Sequence, residues 1–159
     1  MHPSAPIRTD STATNVFQVL PYVGAGPVTF GMTPEQVAAL LGAPRRVQKN
    51  VLGERDESRE GVRVCYSGSG HVVEIGLAPP TTASYKGADL FGIDDPIALL
   101  LKDDPEPFES VGFLVFLQLG LTATGLHDDD QAQKAVTVFA PGRWDSARER
   151  LRPWKRERV

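Results

Sequence analysis

The sequence predicts an α+β fold of two imperfect tandem repeats, each a helix packed on a short antiparallel sheet. Three observations predict it. A capped helical stretch at 33–41 is echoed around 95–103, short apolar segments follow each of them, and 15 glycines with 13 prolines punctuate the chain between. The 159 residues, 41% hydrophobic and 23% charged, suffice for a real core and argue against disorder, coiled coil and collagen-like classes. The longest apolar stretch, 111–121, is interrupted by Gln118 and is too short for a bilayer. Cys65, the single cysteine, allows neither an internal disulfide nor a cysteine-built metal cage. With no signal-like opening, the expectation is a cytoplasmic protein without cofactor, metal or membrane association. The expected divisions are an N-terminal arm at 1–15, a first helix-plus-sheet repeat at 16–80, a second at 81–142 and a basic tail at 143–159.

The arm mixes Pro, Ser and Thr without periodicity. Residues 16–23 read as a strand or an apolar turn, after which Gly24-Ala25-Gly26-Pro27 bends the chain into a short strand at 28–30. Thr33 then reads as a helix N-cap, with Pro34 at the first helical position and Gln36 completing a capping box. Val37, Leu40 and Leu41 form an apolar stripe at spacings of three and four. Gly42 and Pro44 stop the helix. Strands are predicted at 46–52, 62–67 and 71–77, with Ser67-Gly68-Ser69-Gly70 as a tight turn and 53–61 as a charged loop. Val62, Val64 and Tyr66 share one face, as do Val73, Ile75 and Leu77, enough for an antiparallel sheet with the helix on one side.

The second half echoes the first. Tyr22, Gly24, Phe30 and Gly31 correspond to Tyr85, Gly87, Phe91 and Gly92, and Val37, Leu40 and Leu41 to Ile97, Leu100 and Leu101. Asp94 or Asp95 caps this second helix, Pro96 sits just inside it, and 103–107 ends it. Strands are expected at 110–118, 119–126 and 134–140, the last hairpin turning through His127 and the three aspartates that follow. The 110–118 strand is apolar on both faces, which requires cover on both sides and predicts a central position. The tail reads as a short helix up to Arg152, stopped at Pro153 and folded back on the acidic middle.

The run that opens Gly31-Met32-Thr33-Pro34 and closes Leu40-Leu41-Gly42-Ala43-Pro44 resembles the helix signature of the SmpA/OmlA-type outer-membrane assembly lipoproteins and of the related beta-lactamase inhibitor protein fold. The resemblance implies tandem helix-and-sheet units and a scaffold that binds proteins through an exposed sheet or its edge loops. It carries over no outer-membrane role, because no lipobox cysteine or export signal accompanies it, and no disulfide, because Cys65 stands alone.

Charge is distributed unevenly. Residues 1–88 carry 8 basic and 7 acidic groups, 89–130 carry 1 and 10, and 131–159 carry 8 and 3. An acidic field of this kind speeds association with a basic partner and is screened by salt. Asp94, Asp95, Asp103, Asp104, Asp128, Asp129 and Asp130 are therefore candidate partner-binding residues, with Trp144 as an aromatic anchor. No nucleic acid is expected as a partner. His127 with the aspartates lacks the spacing and glycine of a calcium loop, Gly24-x-Gly26 lacks the third glycine of a dinucleotide loop, and Ser67 and Ser69 form no nucleophile elbow. The expected function is a non-catalytic protein-binding module, of inhibitor or immunity type, that recognises a basic partner surface. Two alternatives stay open: a small hydrolase or transferase using Cys65 with His71 or His127, and a self-associating module with the 111–119 strand buried in a homodimer.

Overall fold

The Thr33 side chain accepts the Gln36 amide while the Gln36 side chain accepts the Thr33 amide, so the capping box forms as the sequence dictates and opens helix α1 (Pro34–Leu41). Gly42, at φ 86°, closes it by donating to the Ala38 carbonyl. Asp95 caps α2 (Pro96–Leu101) through the Ala98 amide. The structure is a computed structural model that describes residues 15–156; apart from Asn15, the expected N-terminal arm lies outside the described residues.

Before α1 come β1 (Val16–Leu20), β2 (Gly24–Gly26) and β3 (Val28–Thr29). Between the helices lie β4 (Arg46–Lys49), β5 (Arg55–Arg59), β6 (Val62–Tyr66), β7 (Val72–Leu77), β8 (Thr82–Tyr85) and β9 (Ala88–Asp89). After α2 follow β10 (Phe108–Ser110), β11 (Phe113–Phe116), β12 (Leu121–Thr124), β13 (Ala135–Phe139) and β14 (Arg152–Pro153). The strands form two sheets, ordered β3-β2-β1-β8-β9 and β14-β10-β11-β12-β13-β7-β6-β5-β4. The nine-stranded sheet is antiparallel throughout; in the smaller one β1 and β8 run parallel.

Alternation decides which face of the large sheet is dry. Val62, Leu77, Val136, Ala123 and Leu114 form one cross-strand row, and Val64, Ile75, Val138, Leu121 and Phe116 another two residues away, so both point to the same side. All ten are buried in a single apolar cluster with Phe17, Val19, Ala25 and Val28 of the small sheet, Val37 of α1, and Ile97 and Leu100 of α2. The small sheet and both helices thus cover one face of the large sheet, which leaves the opposite, outer face to different chemistry. The close approach of β2 and β3 requires Gly24, where a Cβ would stand 2.4 Å from the Val28 carbonyl oxygen. Gly24→Ala is expected to cost about 2 kcal/mol in a urea melt; an unchanged midpoint would mean that β3 moves freely.

Several sequence expectations are corrected. The 53–61 stretch holds strand β5, whose Arg55 and Arg59 pair with Glu57 along the strand and whose Asp56 pairs with Arg63 across it. The 46–52 strand stops at Lys49, and 50–53 is a turn. The 110–118 stretch is a hairpin: Val111, at φ 46° and 94% exposed, and Gly112 turn the chain between β10 and β11. It is not central. β13 and β7 hold the middle, where hydrogen bonds join the strands of both halves into one sheet. The 81–89 region, for which the sequence named no strand, supplies β8 and β9. The tail forms a 3-10 turn (Asp145–Arg150) rather than an α-helix, then adds Arg152 and Pro153 to the edge of β10. It does fold back on the acidic middle: Arg156 pairs with Asp95 at 2.9 Å and the Trp154 ring meets the His127 ring at 6.0 Å. Among the described residues no helix is long and apolar enough to cross a membrane.

Candidate functional site

The outer face is read from the same period of two. Asp56, Cys65 and Glu74 are direct cross-strand neighbours on β5, β6 and β7, and Arg63, two residues from Cys65, shares their side. Five charges alternate in sign along this face. Arg63 reaches Asp56 at 2.7 Å and Glu74 at 3.3 Å; Arg143, from the loop after β13, reaches Glu74 at 2.7 Å and grips both oxygens of Glu54 at 2.7 Å. A bidentate guanidinium at this spacing holds its partners in fixed orientation. Glu54 completes the lattice by accepting Asn50 Nδ2 at 3.0 Å and the Cys65 thiol at 3.3 Å.

Arg143, above all through its bonds, holds the Glu54 carboxyl down to about 2 from 4.5, and the Arg143 guanidinium is raised chiefly by Glu54 in return. The Cys65 thiol moves the other way. Burial, then its bond to Glu54 and the nearby carboxylates, push it up to about 12. A protonated thiol is a poor nucleophile. Cys65 in the folded protein is expected to resist iodoacetamide at pH 8 for as long as the fold persists, and to react at the rate of global unfolding; rapid labelling without unfolding would contradict this lattice.

Beside the lattice the face is open and polar. Gly76, Thr137 and Thr122 lie side by side on β7, β13 and β12. A hollow of about 300 Å³ borders Ser58, Arg63, Gly76 and Thr137, and another of about 190 Å³ borders Arg63, Glu74, Phe113, Thr122, Thr137 and Trp144. Trp144, half-buried, meets Phe113 edge-on at 5.9 Å and Phe139 at 6.1 Å. It packs on Phe139, which is buried on this side of the sheet, and borders a cleft of about 540 Å³ with Val111, Arg150 and Arg152.

The residues singled out from the sequence do not form one surface. Asp104 is buried and accepts the Gln118 amide at 3.0 Å, so it is a structural bond and not a docking charge; burial raises its carboxyl. Asp103 is engaged by Lys86 at 2.8 Å and by the Tyr85 hydroxyl, which lower its carboxyl in that order. Asp95 is taken by Arg156, whose bond lowers it, and by the α2 cap. Asp129 accepts Gln131 Nε2, and Asp130 caps the 3-10 turn at Gln131–Gln133. Asp94, Asp128, Asp129 and Asp130 remain exposed. Cys65 and His71 are not partners: the thiol lies among Glu54, Asn50 and Arg143, whereas the exposed His71 ring bonds the Ser69 hydroxyl at 3.1 Å across the turn. His127 has its Nδ1 buried without a hydrogen-bond partner among the described residues, with its ring against Trp154. Among the described residues no three His, Cys, Asp or Glu side chains converge as a metal site would require.

Arg63, Glu74, Arg143 and Glu54 were missed from the sequence. Arg143 and Glu54 are 89 positions apart, and only the partial alternation of 55–59 hinted that these charges sit in a sheet. No family model matches the chain, and comparisons with curated proteins and with solved structures find no match.

Proposed function

We propose that the chain is a non-catalytic protein-binding module of inhibitor or immunity type that presents the outer face of its nine-stranded sheet to a protein partner. One observation carries this reading: the charges of that face are locked in a five-membered lattice beside an open polar strip, with the thiol at its centre held protonated. Such a surface is preorganised for recognition, because its side chains lose little further freedom on binding. The hydrolase or transferase alternative is less well served, because the base that Cys65 meets is the Glu54 carboxylate, too weak to take the proton of a thiol pushed up to about 12, and His71 bonds Ser69 instead. The two halves read as imperfect tandem units, in support of which α1 precedes the meander β4 to β7, α2 precedes β10 to β13, and the last strands of each adjoin. Asp94, Asp128, Asp129 and Asp130 remain exposed to draw in a basic partner, by a field that salt screens.

The test uses Thr137→Arg, which plants a long charged side chain on the strip without entering the core. A protein retained by the immobilised wild type at low salt is expected to bind this variant at least tenfold more weakly, with the unfolding midpoint unchanged. Equal retention of that partner by both would overturn the assignment of this face.

A further inference from the structure

Among the described residues four strands end the two sheets, and three of them, β3, β9 and β14, are two residues long. The fourth, β4, is four residues long and exposed throughout. Its pairing leaves one side open. The Asn50 amide bonds the Glu54 carbonyl at 2.9 Å at the end of the β4–β5 ladder; stepping back by two, Gln48 and Arg46 face β5. The amides and carbonyls of Val47 and Lys49 therefore face outward, unpaired among the described residues.

The turn after β4 adds a second, independent feature. Val51 is fully exposed and Leu52 71% exposed, next to Val47 on the strand itself. This turn is not loosely held. Asn50 Oδ1 accepts the Leu52 and Glu54 amides at 2.9 and 3.0 Å, the Gly53 amide bonds the Asn50 carbonyl, and Asn50 Nδ2 ties the turn to Glu54 in the Arg143 lattice. A turn built this firmly holds two bare aliphatic side chains in water beside an open strand edge, and such an arrangement marks an interaction site.

Charge identifies the occupant. Residues 45–53 contain Arg45, Arg46 and Lys49 and no carboxylate, and among the described residues these three make one ion pair, Arg45 with Glu60 at 3.7 Å, which is solvent-exposed. Cations on an edge deter a second identical edge. They do not deter an acidic one. We infer that β4 is a docking edge for an extended segment of a partner protein that alternates acidic and aliphatic residues, adding as a tenth strand with its aliphatic side chains against Val47, Val51 and Leu52. This surface is distinct from the outer face and does not depend on the basic-partner reading of the acidic residues.

The probe is an acetylated, amidated hexapeptide alternating Glu and Val, with a Lys-Val peptide as its counterpart, titrated onto the full chain at low salt. The acidic peptide is expected to slow hydrogen exchange of the Val47 and Lys49 amides while leaving Arg46 and Gln48 unchanged, and the Lys-Val peptide to have no effect. Val47→Pro removes one outward amide and is expected to weaken binding by roughly tenfold. Because that substitution could disturb the strand, a second variant, Arg46→Glu with Lys49→Glu, is expected to bind the Lys-Val peptide in preference to the acidic one. Binding unaltered in both variants, protection of other amides only, or no binding at millimolar peptide would overturn the inference. So would protection of Val47 and Lys49 in a dimer formed without peptide, since the occupant would then be a second copy of the chain.

Discussion

Arg143→Met is expected to lower the unfolding free energy at pH 7 by about 3 kcal/mol, because it leaves Glu54 without a countercharge and Glu74 with Arg63 as its remaining cation. Glu54 and Glu74 are 14% and 21% exposed, lie beside the acidic Asp56 row, and would keep only Asn50, the thiol and Arg63 as partners. The effect carries a pH signature. A carboxyl held at about 2 instead of 4.5 contributes stability that is fully present above about 4.5 and is lost as the pH falls through about 2. The wild type should therefore lose its advantage over the variant across that window, the gap closing as Glu54 protonates. Urea melts at pH 7, 4 and 2.5 check both features. Arg143→Lys, which keeps the charge but not the two-pronged bond, is expected to recover only part of the loss. A difference below about 1 kcal/mol at pH 7, or one independent of pH, would show the lattice to be a weak surface network.

Glu57→Ala should have an effect of similar size on the opposite face. The Glu57 carboxylate is 1% exposed and is bound by the Tyr66 hydroxyl at 2.8 Å, by Arg55 at 2.8 Å and by Arg59 at 3.3 Å. Arg59 also donates twice to the Gly42 carbonyl at the end of α1, so this carboxylate indirectly fastens the helix to the sheet. Its removal leaves the buried Tyr66 hydroxyl without its acceptor and Arg59, 8% exposed, without its countercharge. The expected cost is about 3–4 kcal/mol, with faster hydrogen exchange at the end of α1 than in β12. Glu57→Gln, which retains an acceptor for Tyr66, is expected to cost less than half as much. Equal losses in both variants would mean that charge, and not hydrogen-bond shape, fastens this end of the sheet.

The sequence disclosed the parts of this fold that are set locally. Thr33, Pro34, Gln36 and Gly42 specify α1 through bonds spanning no more than four residues, and Asp95 and Pro96 specify the start of α2 in the same way. The hairpin of β6 and β7 was legible because Val62, Val64 and Tyr66 alternate and Gly70 allows the turn at φ 84°. Where partners are remote, the pattern misled. β5 reads as a loop because its inward positions are Arg55, Glu57 and Arg59, and only Tyr66 and the α1 terminus make such a row stable against the core. The apolar run after Ser110 reads as one strand, although Gly112 near its start was the available turn signal. The acidic surface expected from composition was dispersed by contacts that no spacing encodes: Arg156 on Asp95, Lys86 on Asp103, and the Gln118 amide on Asp104.

A photo-reactive phenylalanine analogue placed in turn at Thr137, on the outer face, and at Ala39, exposed on α1 across the molecule, reads out directly which side meets a partner. Irradiation of the complex with the retained partner is expected to give cross-links from position 137 and none from position 39. Cross-links from position 39 alone would place the binding surface on the helical side and contradict the account.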